Sequence, residues 1–292
     1  MKTLLMFPGQ ASQFVGMGKA LYDENERARA VMDMAEEITG LPIKMMCFEG
    51  PENLLTRTDN AQPCIVACSL AALSAWEGGF HFTTGHSLGE YSALAAAGAI
   101  SYEDALRLVK RRGELMAKAD EARPGAMAAV VGLNEATIKE ALAEAGGTVI
   151  IANINSPDQI VISGETDAVT RAGEILSQRG AKRVIPLKVS AAFHSPLMEP
   201  ASEELRPDIE ATEFRTPRVP VIPCATAKAT NEPTELKKAL LVQLLSPVRW
   251  TDMLTEARNQ GAERFLEMGP GKVLQGLAKR TIPDATIEGF GS

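Results

Sequence analysis

Short apolar runs alternate with longer amphipathic stretches along the whole chain, the pattern of an α/β protein. An apolar run closed by Pro8-Gly9 predicts a first strand over residues 3–7, followed by a glycine-rich loop at 9–18. Charged and apolar residues at helical spacing predict a helix over 19–37. Residues 63–75 are apolar nearly all round, which predicts a buried helix. A short strand at 80–83 leads into Gly85-His86-Ser87-Leu88-Gly89. Beyond it lie a small-residue helix at 90–99 and an amphipathic helix at 102–119, which carries Lys110, Arg111 and Arg112.

The middle of the chain has a different rhythm. Strands are predicted at 126–132, 148–154, 159–163 and 182–189, with helices at 135–145 and 167–179. That order, β-α-β-β-α-β, is the ferredoxin-like split unit. It occupies 124–190 and is entered at Pro124-Gly125. After it come a proline-broken extended stretch at 217–224, helices at 235–245 and 250–260, and a strand at 264–268. Gly269-Pro270-Gly271 then opens a last helix at 272–280. The expected fold is therefore α/β: a large α/β-hydrolase-like domain (1–123 and 191–292) with an inserted small ferredoxin-like (βαββαβ) domain (124–190).

Composition narrows the function. The chain has 292 residues, 45% hydrophobic and 23% charged, which excludes a disordered or fibrous protein. Its 30 Lys and Arg against 37 Asp and Glu leave a net charge of −7, without the overall basic footprint of a nucleic-acid binder. Cys47, Cys64, Cys68 and Cys224 are too few for a disulfide scaffold and show no C-x-x-C spacing. With only 3 histidines, no metal site is expected, and buried thiols in a reducing compartment are. Residues 1–10 lack the apolar core of a signal peptide. The longest charge-free stretch, 60–76, includes Gln62, Pro63, Ser69 and Ser74 and does not suit a bilayer. A cytoplasmic monomer is the expectation.

The chemistry starts at Gly85-His86-Ser87-Leu88-Gly89, a G-x-S-x-G pattern placed between a strand and a helix. Small residues flanking Ser87 let the chain turn abruptly and present the hydroxyl at a helix N-terminus. There the Leu88 amide and the helix dipole favour an oxyanion. Of the histidines, His86 is adjacent to the serine and points away from it, and His81 lies in the preceding strand. His194, in Phe193-His194-Ser195-Pro196-Leu197-Met198, is the candidate general base. No third carboxylate stands out; Asp158, Glu165 and Asp167 fall in the inserted unit. A backbone or amide carbonyl is left to orient the imidazole, which argues against a standard esterase. Two nucleotide-site look-alikes fail. Gly16-Met17-Gly18 has Leu21 at the place of the third glycine. Gly271-Lys272 is followed by Val273 and has Leu266 at the place of the first P-loop glycine.

Taken in order, several motifs resemble the malonyl-CoA:acyl carrier protein transacylases and the related acyltransferase domains of polyketide synthases. They are Phe7-Pro8-Gly9-Gln10-Ala11-Ser12-Gln13, Gly85-His86-Ser87-Leu88-Gly89-Glu90-Tyr91, Arg112-Gly113-Glu114-Leu115-Met116, the His194 segment and Gly269-Pro270-Gly271. The resemblance implies ping-pong transfer of malonyl from CoA through Ser87 to the phosphopantetheine thiol of acyl carrier protein, with His194 as base. It places the oxyanion hole at the amides of Gln10 and Leu88. It assigns the orientation of His194 to a carbonyl near Gln243, and the cleft lining to Asn155, Phe193 and His86. Arg112 is implied as the reader of malonyl's free carboxylate, rejecting acetyl more strongly than it rewards malonyl. Phe193 and Leu88 match the malonyl rather than the methylmalonyl type. No cofactor is implied, since the CoA thioester is a substrate. An acidic carrier protein suits a basic rim, for which Lys182, Arg183, Lys188, Arg249, Lys272, Lys279 and Arg280 are candidates. Ala11 departs from the family's usual glycine. A polyketide acyltransferase, a serine hydrolase and a catalytically silent carrier-binding scaffold are the alternatives.

Overall fold

The computed structural model describes residues 1–187, 189 and 191–292. It is a mixed α/β fold with one parallel and one antiparallel sheet. The first part runs β1 (Lys2–Phe7), α1 (Lys19–Glu24), α2 (Glu26–Thr39), α3 (Ile43–Phe48), α4 (Glu52–Leu55), α5 (Thr58–Ala75), β2 (Phe82–Gly85), α6 (Gly89–Ala97) and α7 (Tyr102–Ala122). The middle runs β3 (Ala126–Val131), α8 (Glu135–Ala145), β4 (Val149–Ser156), β5 (Gln159–Gly164), α9 (Thr166–Gln178) and β6 (Arg183–Pro186). The chain closes with α10 (Glu199–Ala211), β7 (Val221–Ile222), α11 (Pro233–Val242), α12 (Trp250–Asn259), β8 (Ala262–Met268), α13 (Val273–Thr281) and β9 (Thr286–Phe290).

Among the described residues the parallel sheet has the order β7-β2-β1-β8-β9. β1 lies at its centre, and its alternation feeds two cores. Leu5 and Phe7 join the cluster formed with α2, α5, α6 and α7, whereas Leu4 and Met6 join Phe265, Met253 and Leu277 on the opposite face. Helix α5 is buried on every side from Asn60 to Leu73, as its uniform apolarity predicts.

The antiparallel sheet has the order β4-β5-β3-β6. In β3, Ala128 and Val130 pack with α8 and α9, while Met127 and Ala129 face the other way, toward Phe193. Strand β4 of this sheet is tied to the segment before α12 by a short parallel bridge. Ile154 N–H donates to the Val248 carbonyl at 2.8 Å, and Val248 N–H donates to the Ala152 carbonyl at 2.8 Å.

Several expectations change. The helix expected over 19–37 breaks at Asn25, whose side chain accepts from the Arg27 and Ala28 amides and so caps a new helix. The strand expected at 80–83 sits at Phe82–Gly85, because its register on β1 starts at Leu4↔Phe82. The strand expected at 182–189 is Arg183–Pro186, and Lys188 lies outside the described residues. The extended stretch at 217–224 keeps only β7, and the helix at 235–245 ends in a 3₁₀ turn from Gln243 to Leu245. Helices α3, α4 and α10 and strand β9 have no counterpart in the sequence reading. No helix among the described residues is long and apolar enough to cross a membrane. The cysteines are free and buried.

Candidate active site

The elbow is built by three backbone segments that touch. A Cβ on Gly85 would meet the Gly89 carbonyl carbon at 2.0 Å, and a Cβ on Gly89 would meet the Phe7 carbonyl oxygen at 2.0 Å. A Cβ on Gly9 would meet the His86 carbonyl oxygen at 2.6 Å. Only glycine permits β1, β2 and α6 to converge so closely. Ser87, at the apex, has φ of 50°, the strained left-handed region that a sharp strand-to-helix turn requires.

His194 reaches this apex from the segment after the antiparallel sheet, also with positive φ (60°). Its Nε2 lies 2.7 Å from Ser87 Oγ. Its Nδ1 lies 3.1 Å from the Gln243 carbonyl and 3.0 Å from the Ser246 carbonyl. Carbonyls only accept, so Nδ1 carries the proton and the Nε2 lone pair faces the serine hydroxyl. Burial, then the nearby charge of Arg112, lowers the His194 pKa to about 3, so the ring is neutral near pH 7.

Arg112 comes from α7 and is 1% exposed. Its neighbours Lys110 and Arg111 turn outward and pair with Glu114, Glu204 and Asp208. Its own Nη1 donates to Gln62 Oε1 at 2.8 Å, and Nη2 donates to Ser87 Oγ at 3.0 Å and Gln243 Oε1 at 3.3 Å. Burial pulls its pKa downward. A buried cation with only neutral hydrogen-bond partners is a receptor for an anion.

The amide N–H groups of Gln10 and Leu88 have no hydrogen-bond acceptor among the described residues. Both residues border the cavity that contains Ser87, His194 and Arg112, about 310 Å³ in volume. Met116, Met127, Ala129, Val161 and Phe193 give it an apolar wall. His86 turns away from the serine: its Nε2 meets Asn155 Oδ1 at 2.9 Å, and its ring packs 5.5 Å from that of Trp250. His81 is remote from the serine, its Nδ1 accepting from the Thr3 amide at 3.2 Å. Ala11 takes φ of 78° beside Gln10, as a glycine there would.

Sequence reasoning missed Gln62, Glu90 and Ser246. Gln62 is fully buried in an otherwise largely apolar helix, and Glu90 is the one charge in the small-residue α6. A polar group at such a position needs a buried partner, and that was the available signal. Of the basic residues proposed for the rim, Arg249 pairs with Asp252 and Arg280 with Asp158. Lys182, Arg183, Lys272 and Lys279 are exposed. No cluster of three His, Cys, Asp or Glu suited to a metal occurs among the described residues.

A serine on a strand–helix elbow, bonded to a neutral buried histidine at the wall of an apolar cleft, is the equipment of a serine-nucleophile enzyme. The chain belongs to the acyl transferase domain family, whose pattern it matches over residues 4–288. It is 45% identical over 285 residues to the malonyl CoA-acyl carrier protein transacylase of Bacillus subtilis (strain 168), covering 96% of this chain and 90% of that protein. The crystal structure of an acyl carrier protein S-malonyltransferase from Vibrio cholerae superposes with a TM-score of 0.96 at 41% identity, covering 100% of this chain and 97% of that one. A malonyl-transacylase in complex with its type II polyketide synthase acyl-carrier protein superposes with a TM-score of 0.94 at 38% identity, covering 99% and 95%.

Proposed function

We propose that this chain transfers malonyl from malonyl-CoA to the phosphopantetheine thiol of an acyl carrier protein, for fatty-acid synthesis. The observation that carries this reading is a buried guanidinium 3.0 Å from the hydroxyl that the histidine also holds. Ser87 Oγ attacks the thioester carbonyl while its proton passes to His194 Nε2. The oxyanion accepts from the Gln10 and Leu88 amides, each such donor contributing about 3 kcal/mol to transition-state stabilisation. The C–S bond breaks, the proton goes to the departing sulfur, and CoA leaves a malonyl-serine ester. The carrier's thiol then gives its proton to His194, its sulfur attacks the ester carbonyl, and Ser87 recovers the proton as the C–O bond breaks.

Through both halves Arg112 holds the malonyl carboxylate. Gln243 and Ser246 orient His194, while Asn155, Phe193 and His86 shape the cleft. Residues 1–123 and 191–292 act as a hydrolase-like catalytic domain, and 124–190 as an inserted ferredoxin-like domain; the strand order β4-β5-β3-β6 supports the latter. The chemistry needs no metal or organic cofactor. A cytoplasmic location accords with the free, buried cysteines, and a monomer is part of the same proposal. The similarity to a transacylase bound to a polyketide carrier makes that carrier class the second acceptor to test.

The test is intact-protein mass after brief exposure to malonyl-CoA, with acetyl-CoA and Ser87→Ala as controls. The expected result is a malonyl adduct that needs Ser87, persists in water, and clears onto carrier thiol. Rapid CoA release without an adduct would make the chain a hydrolase. Neither adduct nor release would leave a binding scaffold.

A further inference from the structure

We propose that Glu90 is a positioning residue for acyl transfer, which sets Arg112 by fixing the amide orientation of Gln243. The proposal rests on the malonyl-transfer reading above. Glu90 is 1% exposed, in the first turn of α6 just after the nucleophile elbow. Its Oε2 accepts from Gln243 Nε2 at 3.0 Å and from the Cys224 amide at 3.0 Å. Gln243 Nε2 also donates to the Ser87 carbonyl at 2.8 Å. Two acceptors thus hold the nitrogen end of this amide, which leaves Oε1 as the end that meets Arg112 Nη2 at 3.3 Å. A flipped amide would set two donors against each other at the guanidinium and two acceptors against Ser87 and Glu90.

Gln243 occupies two roles at once. Its backbone carbonyl accepts from His194 Nδ1, and its side chain accepts from Arg112. The residue that pins its side chain therefore ties the carboxylate reader to the elbow that carries Ser87. Glu90 makes no contact with the reacting atoms; it acts through Gln243. Burial raises its pKa, and the Oε1 oxygen has no hydrogen-bond partner among the described residues. A neutral amide at position 90 would keep the oxygen that both donors use.

The experiment compares the second-order rates of Ser87 acylation by malonyl-CoA and acetyl-CoA in wild type, Glu90→Gln and Glu90→Met. Glu90→Gln is expected to stay within about threefold of wild type for both substrates. Glu90→Met, which fills the space without an acceptor, is expected to lose about tenfold with malonyl-CoA and much less with acetyl-CoA. In a Gln243→Ala background, which keeps the backbone carbonyl, Glu90→Met is expected to change the malonyl rate by less than about twofold. Should Glu90→Met not fold, Glu90→Asp withdraws the acceptor by one methylene and is expected to show the same loss of discrimination. Additive losses in the double variant, equal losses for both substrates, or a Glu90→Gln as damaged as Glu90→Met would overturn the proposal. A wild-type enzyme that takes no malonyl at Ser87 would instead overturn the function on which it rests, so the two failures are told apart.

Discussion

Replacing Arg112 by Met keeps a straight, buried side chain and removes the guanidinium. In the empty site that guanidinium meets Gln62, Ser87 and Gln243, all neutral. A malonyl carboxylate entering the cleft would give it an anionic hydrogen-bond partner, through two parallel charge-assisted bonds. A hydrogen bond to a charged group contributes about 1.5–3 kcal/mol, and the second bond of a bidentate pair adds less than the first. Loss of the pair is thus put at about 3 kcal/mol, or roughly 150-fold in the rate of Ser87 acylation by malonyl-CoA. Acetyl-CoA has no carboxylate to lose and is expected to change by less than about tenfold. The malonyl-to-acetyl preference should therefore fall by more than an order of magnitude, read by quenched-flow labelling and intact mass. Thermal unfolding of the variant establishes that the folded fraction is unchanged. Equal loss with both substrates would refute the assignment, because an arginine that only supports the elbow would not distinguish them.

Acidity should separate catalysis from stability. His194 titrates at about 3 in the folded protein against 6.5 when exposed, so the base stays neutral and acylation should not fall by half near pH 6.5. In the same window the unfolded chain binds the proton and the folded one does not, so stability is fully present above about 6.5 and declines as pH falls toward 3. Acylation rates against denaturant midpoints at matched pH check this, and an acylation limb at 6.5 in an intact fold would contradict it. Arg112→Met, which removes the second cause of that low value, should move the catalytic limb upward. Glycine substitutions should diverge according to what surrounds them. Gly89→Ala drives a methyl group into the Phe7 carbonyl and is expected to lose at least 3 kcal/mol by denaturant titration. Gly276→Ala, in α13 with nothing within 4 Å, is expected to gain about 1 kcal/mol by the same titration.

The parts of this fold that depend on local periodicity were legible. Thus 135–145 and 102–119 agree with α8 and α7 to within a few residues, since their apolar positions recur at helical spacing. Strand β9 was not legible. Its Thr-Ile-Glu-Gly-Phe is only partly buried and gains its order from parallel pairing with β8, a contact no local pattern encodes. Helix α10 had no reading in the sequence; it carries Pro200 and Pro207, residues disfavoured in helix interiors, although Pro200 sits in its first turn, where the missing N–H costs nothing. At the site, Ser87 and His194 could be singled out by motif and residue type, whereas Arg112, one of three consecutive basic residues, was singled out only by the resemblance to the acyltransferases. Gln62, Glu90 and Ser246 were not, because each contributes through a partner brought close only by tertiary folding.

The groups behind His194 bear on what the acyl-serine can meet. Two carbonyls stand where a hydrolase usually places a carboxylate. They fix the tautomer as a carboxylate would, but carry partial rather than full charge, so they stabilise an imidazolium less. Water, with a pKa near 15.7, needs a strong base, whereas a carrier thiol near 8.5 needs little help. A weakened base thus favours transfer to thiol over loss to water. Arg112 weakens the base further in the empty site, since its charge opposes the proton on His194; this acts on the free enzyme, before any acyl-serine exists. A malonyl carboxylate bound at Arg112, as proposed above, would neutralise that charge and let His194 accept the serine proton more readily. An acetyl group would bring no such carboxylate and would leave the base suppressed. Selectivity and base strength are on this view one electrostatic device, in which the correct substrate supplies the charge that the protein withholds.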